Sequence, residues 1–539
     1  MPSASSEPDS DATAVEETSK DRISPLAGRR MITASLLVAM MVTAMEQLVV
    51  SPAMPTIIAQ LHGLDIYPWV ISAYLLASTV STPIYGKLAD LYGRKRILLF
   101  GLVLFSIGSI LSGTAQTMGQ LIAMRTLQGL GAGAVGPIVL TILGDLFTLH
   151  ERAKVQGYFS AVWGLASVGG PILGGYLTDN VGWRWVFLVS VPFAVVAIIL
   201  LAWYVTEPKV ERNVAPIDWV GAGLLSAGLT CLLLVVLDGS KHGISTAAGL
   251  AVASLALLVL FVFREHRAED PILPMDLMAR PVIAASLAGS CLIGAILFGI
   301  DTYVPLYIQG VQGGNARLAG RALMPLFLTW AFSVAVAAKA VVHRGLRFGC
   351  LVGSFFIAAG SIGLVLGATY PAWYRFWFYP GLVLVGLGMG PASLSLILSV
   401  QHAVQWGQRG VATGAVIFLR TIGGSLGVGL LGAALGWELA HRLAAAGGSG
   451  IDVAAALRPE THAVLGPGQL VLVQTSLGHA LRNAYLQMAG LGIGTMLCAL
   501  GLPDRHATHA SAAGGIGAGA TTEEEEKEDD EFALAASEI

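Results

Sequence analysis

The stretch Gly86-Lys-Leu-Ala-Asp-Leu-Tyr-Gly-Arg-Lys-Arg96 sets four bases and one acid, punctuated by two glycines, between apolar runs at residues 67–86 and 97–115. Each run has about the 20 residues that a helix needs to cross ~30 Å of hydrocarbon. A polar knot between two such runs reads as a tight loop at a membrane surface, where its charges stay in water. Three consecutive cations, Arg94, Lys95 and Arg96, place that loop on the cytoplasmic side, where Lys and Arg accumulate.

The same scan carried outward finds apolar segments near residues 31–59, 67–86, 97–115, 119–147, 155–178 and 184–205. Two more follow at 217–238 and 247–263, and then six at 282–309, 321–340, 347–368, 376–400, 411–436 and 480–502. The chain is therefore expected to be an all-α integral membrane protein of fourteen spans, two groups of six with an extra pair between them. The implied organisation is a polar tail (1–30), a six-helix bundle (31–206), two linker helices (207–265), a connector (266–280), a second six-helix bundle (281–503) and an acidic tail (504–539). The outer loop at about 437–479 either folds partly on itself or lengthens the helices beside it. With the N-terminus inside, the inner loops hold eighteen Lys and Arg residues and the outer loops eight. That bias predicts both termini in the cytoplasm and a multi-pass protein of the plasma (inner) membrane. The first apolar run, from Met31, follows a long polar tail and outlasts a signal-peptide core, so it reads as the first span.

Composition agrees with a bilayer as solvent. The 539 residues are 55% hydrophobic and 12% charged, with a mean hydropathy of +0.71, whereas soluble domains are about a quarter charged. The net charge of −3 is set by the ends. Residues 1–22 carry six carboxylates against Lys20 and Arg22, and residues 523–539 carry nine against Lys527, which leaves 28 bases and 19 acids in between. An excess of this kind belongs to lipid-facing cytoplasmic loops and not to nucleic-acid binding. Both tails are too polar to form a core and are expected to be disordered. The four cysteines have neither metal nor disulfide spacing, and no cofactor is indicated. Gly131-Ala-Gly-Ala-Val-Gly136 matches a dinucleotide fingerprint and Gly423-Gly-Ser-Leu-Gly427 a nucleophile elbow. Each lies inside a long apolar run with no strand before it, so close helix packing is the expected role.

The spacing of Gly86, Asp90, Gly93, Arg94, Lys95 and Arg96 resembles the signature loop of the major facilitator superfamily. The resemblance implies that Asp90 caps a neighbouring helix end and pairs with a loop arginine, latching the cytoplasmic side. Arg125-Thr-Leu-Gln-Gly-Leu-Gly is similar to the family's second motif, which puts an arginine in the transport path. Gly170-Pro-Ile-Leu-Gly-Gly175 resembles the antiporter element, with Gly170, Pro171, Gly174 and Gly175 in place and Ala166 where a glycine is usual. Glu46 to Pro55 resembles the span-one motif of the fourteen-helix drug:proton antiporter branch, with Glu for Asp and with Leu48 and Ser51 at its polar positions. Arg409 to Gly429 resembles the C-terminal half of that branch. The second-half counterpart of the gate loop, Lys339 to Gly353, is degenerate.

A charge at the centre of a membrane costs at least ~2.5–3.5 kcal/mol and is usually paired or functional. Glu46 and Asp301 are the deep acids, Arg125 and Arg420 the deep bases. The resemblance implies that spans one, four, seven and ten of the twelve-helix core line a central cavity, which Glu46, Arg125 and Asp301 would share. Burial and a nearby cation act on such an acid in opposite directions, a balance that lets protonation and substrate binding exclude each other. The expected function is export of amphipathic, drug-like compounds in exchange for protons, by a monomer in the bilayer and with no enzymatic activity. A dedicated exporter of one metabolite, antibiotic, siderophore or lipid is the alternative, followed by a transport-inactive sensor. No ATP-binding motif is present.

Overall fold

The computed structural model describes residues 26–146, 149–205, 218–238, 244–268, 275–404, 409–448, 451 and 466–503. A first half comprises α1 (Leu26–Val49), a 3-10 turn (Ser51–Ala53), α2 (Met54–Leu61), α3 (Pro68–Tyr92), α4 (Arg94–Thr114), α5 (Met118–Leu146), α6 (Leu149–Asn180), α7 (Arg184–Leu188) and α8 (Ser190–Tyr204). Then come α9 (Trp219–Asp238), α10 (Ile244–Glu265) and the single turn α11 (Met275–Met278). The second half is α12 (Pro281–Gly310), α13 (Ala316–Arg344), α14 (Leu346–Thr369), α15 (Tyr374–His402), α16 (Arg409–Ala445) and α17 (Pro467–Ala499). Helices satisfy their own backbone groups, the requirement that hydrocarbon imposes on a spanning chain.

Among the described residues, eleven helices are long and apolar enough to cross a membrane, and α3, α6 and α17 fall short of that measure. Helix α6 lies on α13 and α3 on α16, which puts both at the seam between the halves. The outer loop is shorter than the apolar windows suggested, because α16 continues to Ala445 and α17 begins at Pro467. Both tails and most of what remains of that loop fall outside the described residues.

Glycines fix how closely the helices approach, and they do so twice. A Cβ on Gly101 would lie 3.0 Å from the Gly131 carbonyl, and one on Gly353 would lie 2.6 Å from the Gly388 carbonyl. Gly108 meets the backbone of Gln128 as Gly360 meets that of Gly381 and Val385. Gly133 seats on Ser81 and Ser78 as Gly390 seats on Ser333. The same interval in sequence separates Gly93 from Gly345, Gly101 from Gly353, Gly108 from Gly360 and Ser81 from Ser333, so the halves are structural repeats. All the glycines of the two enzyme-like patterns except Gly136, which faces open space, belong to close helix packing. Gly131 lies against Gly101 and Phe105, Gly423 against the Cys291 carbonyl and Gly427 against Ala295.

The repeat extends to the gate loop. Gly93 (φ 101°) breaks the chain between α3 and α4, and Gly345 (φ 94°) does the same between α13 and α14. Both adopt backbone angles that disfavour a side chain. Two residues later, Lys95 Nζ donates to the Ala202 carbonyl in the last turn of α8 (2.7 Å). At the matching position Arg347 donates to the carbonyls of Leu500 and Leu502 beyond α17 (2.8 and 3.0 Å). A cation therefore satisfies the carbonyl-rich end of the last helix in each half. The loop that looked degenerate in sequence keeps its turn and this cap.

Candidate coupling and translocation site

Arg125 lies two turns into α5, 2% exposed, and its surroundings come almost wholly from the first half. Its Nη1 donates to Glu46 Oε1 at 2.7 Å and to Gln128 Oε1 at 2.6 Å, and its Nε donates to the Val70 carbonyl at 3.4 Å. The guanidinium lies over the Tyr74 ring, 4.1 Å from its centroid. Gln128 is held in turn, since its Nε2 donates to Ser109 Oγ (3.0 Å), which donates to the Phe187 carbonyl (2.7 Å). Two charges buried this deeply persist only when paired and hydrogen-bonded, and this network pairs both. Glu46 is 1% exposed, and its second oxygen, Oε2, is buried without a hydrogen bond.

Between the halves lies a narrow cavity that brings Arg125 and Tyr74 from the first half to Phe298 and Asp301 from the second, with Gln47 and Ser51 at its rim. Asp301 is 5% exposed, and its Oδ1 makes no hydrogen bond. The structure thus brings Arg125 and Asp301 to one cavity but places Glu46 behind Arg125. Gln47 near the end of α1, with Val50 and Ser51 just beyond it, faces the cavity, and Glu46 is not among the lining residues. The repeat does not extend to this network: the positions matching Arg125 and Gln128 are Leu382 and Val385, both fully buried. The polar centre is one-sided on a two-fold scaffold.

The antiporter-like element lies at the seam. Gly170 and Gly174 seat on Leu48 and on the Val49 carbonyl, where a Cβ would fall at 2.8 and 2.0 Å. Gly175 and Pro171 face the second half instead, Gly175 against the Ala316 carbonyl and the Pro171 carbonyl against Gly320. Among the described residues, hydrogen bonds between the halves cluster at the end of the bundle away from the Gly93 and Gly345 turns, hereafter the far face. Asp179 accepts from the backbone of Ala316 (3.2 Å) and Arg317 (3.0 Å), capping α13, and Arg317 donates to Asn180 (3.1 Å). Ser72 and Ser425 each donate to the other's carbonyl. Gln309 Nε2 donates to the Pro52 carbonyl (2.8 Å), and Ser51 Oγ donates to the Asp301 carbonyl.

In the gate loop, Gly86 and Gly93 are described and Lys95 is engaged with α8. Arg94 is half-buried and Arg96 exposed. The side chain of Asp90, on which the expected latch depends, falls outside the described residues.

Fold and centre together define a class: an all-helical membrane protein of two repeated halves, with a buried ion pair beside a cavity between them. The profile of the Major Facilitator Superfamily matches residues 36–428. The chain belongs to that superfamily, and it is a transporter, not an enzyme. It is 34% identical over 76% of its length to a protein of Bacillus subtilis named multidrug transporter protein MdtP, covering 75% of that protein. It is equally similar to multidrug resistance protein 3 of the same organism, over 75% of this chain and 79% of that one. Among solved structures, a bacterial homologue of the human lysosomal transporter Spinster, inward-facing and occupied, superposes with a TM-score of 0.67. That match covers 88% of this chain and 97% of the other at 13% identity, a likeness of fold.

Proposed function

We propose that the protein is a secondary active transporter that exports amphipathic, drug-like compounds in exchange for protons by alternating access. In this reading fourteen helices cross the plasma (inner) membrane, both tails are cytoplasmic, and the chain acts as a monomer. The bonds gathered at the far face and the cavity below them support reading the described conformation as inward-facing. The observation that carries the proposal is the buried Glu46–Arg125 pair with Asp301 across the cavity.

The exchange follows from charge. With Glu46 ionised, the pair is neutral, and Asp301, once it too is ionised by an approaching cation, is the cavity's uncompensated charge, available to a cationic substrate. A proton on Oε2, the oxygen without a hydrogen bond, leaves the Arg125 contact to Oε1 in place and cancels the negative partner. Arg125 then presents net positive charge toward Asp301, and a bound cation is repelled. Protonation from outside therefore favours release, and deprotonation inside favours loading.

The test is Glu46→Gln, which keeps the shape and removes the titration. The variant should still exchange substrate across proteoliposome membranes but should no longer accumulate it against a gradient when a pH difference is imposed. Substrate-induced proton release from purified protein at fixed pH should fall with it. Undiminished release together with undiminished uphill transport would remove Glu46 from the coupling role.

A further inference from the structure

Pro305 lies within α12, one turn after Asp301. In an α-helix the carbonyl of residue i receives the N–H of residue i+4, and proline has none. The Asp301 carbonyl is thus left without its own helix's donor at a depth where an unpaired backbone group is costly. The neighbouring hydroxyl of Thr302 does not serve it, because that hydroxyl donates to the Phe298 carbonyl (2.7 Å). The donor comes from the other half: Ser51 Oγ, 1% exposed, at the 3-10 break where Pro52 interrupts the first span. The exchange is mutual. Gln309 on α12 donates to the Pro52 carbonyl of that break and accepts from Thr56 Oγ1 (3.2 Å).

We infer that Ser51 is a positioning residue that fastens the far-face gate, its hydroxyl supplying the Asp301 carbonyl with the donor that Pro305 cannot. The bond holds only while the halves are closed at this face. Opening strips the carbonyl of its partner until water enters, so closure is favoured by the cost of that orphaned group. Because the carbonyl belongs to Asp301, the residue that presents a carboxylate to the cavity is also the one held by the gate. This inference rests on the alternating-access reading above.

The test is a double-mutant cycle read by conformation. Spin labels at Thr114→Cys and Tyr370→Cys, on the far-face ends of α4 and α14, are placed in a chain whose four native cysteines are replaced. Pulsed electron-electron distance measurements in lipid nanodiscs then give the ratio of open to closed far face. Ser51→Ala should raise that ratio roughly tenfold, the effect of leaving one buried acceptor unsatisfied. Ser51→Thr, which keeps the hydroxyl, should leave it near the starting value. Pro305→Ala returns the backbone donor, and in that background Ser51→Ala should shift the ratio by less than about twofold.

An equal effect of Ser51→Ala in both backgrounds would overturn the inference, as would no effect in the Pro305 chain or an effect of Ser51→Thr as large as that of Ser51→Ala. The Ser51 pair decides the matter if Pro305→Ala does not fold. A parent chain showing two distances with Ser51→Ala unchanged overturns the inference alone. A parent chain locked at one distance under every pH and substrate condition overturns alternating access and this inference with it.

Discussion

Arg125 is the residue on which the polar centre turns, because every bond there either ends on it or holds a group that does. Deep charges stand out in an apolar sequence, which is why Arg125, Glu46 and Asp301 could be singled out unaided. The side chains that orient them could not. Gln128, Ser109 and Tyr74 are ordinary helix residues until the fold sets them against a guanidinium, and the turn of α1 that hides Glu46 behind Arg125 depends on packing alone. Gln128→Leu removes one of two acceptors on Nη1 and leaves that buried donor short of a partner. It should cost ~1–3 kcal/mol, read as a lower thermal midpoint in detergent. Arg125→Ala should be more damaging, by ~3–5 kcal/mol, since it strands the Glu46 carboxylate in the bundle. A milder Arg125→Ala than Gln128→Leu would mean that the pair is not the anchor of the site.

At the level of elements, the helices and their order were legible because crossing a bilayer demands long apolar runs, while their ends and their seams were not. The ends of α16 and α17 run on past the apolar windows into polar sequence. The Asp179 cap on α13 leaves no trace in sequence, since its partners are backbone N–H groups. Its carboxylate at a helix start combines a capping bond with a favourable charge. Asp179→Ala should therefore loosen the far face and raise the reactivity of a Leu75→Cys probe toward an impermeant maleimide applied from that side. Unchanged reactivity would show that the cap is incidental. Gly320→Val would drive a side chain into the Pro171 carbonyl, where a Cβ already falls at 2.0 Å. It should leave insertion intact while wedging the seam, seen as normal membrane levels with transport reduced at least tenfold.

The molecule as a whole is a repeated scaffold carrying an unrepeated centre. The degenerate second gate loop hid the repeat in sequence, because only a turn glycine and a capping cation need survive, and Lys95 is matched by a different cation, Arg347. The orientation is testable directly. A cysteine at Ser5 in a cysteine-free chain should stay unlabelled by an impermeant reagent added to intact cells and react once the membrane is opened. Labelling in intact cells would reverse the orientation and make the described conformation outward-facing. The glycine contacts described above have a mechanical side as well. Inside each half, main chain rests against main chain, an arrangement with little room to yield. Among the described residues, the seam has main chain against main chain where α6 meets α13, at Gly175 and Gly320, and side-chain bonds gathered toward the far face, so it is tied at fewer places than the blocks it joins. In the proposed cycle, a push delivered at Arg125 by a proton or a solute would dissipate little within a half and would be carried as rigid displacement to the far face, with no relay of intervening side chains.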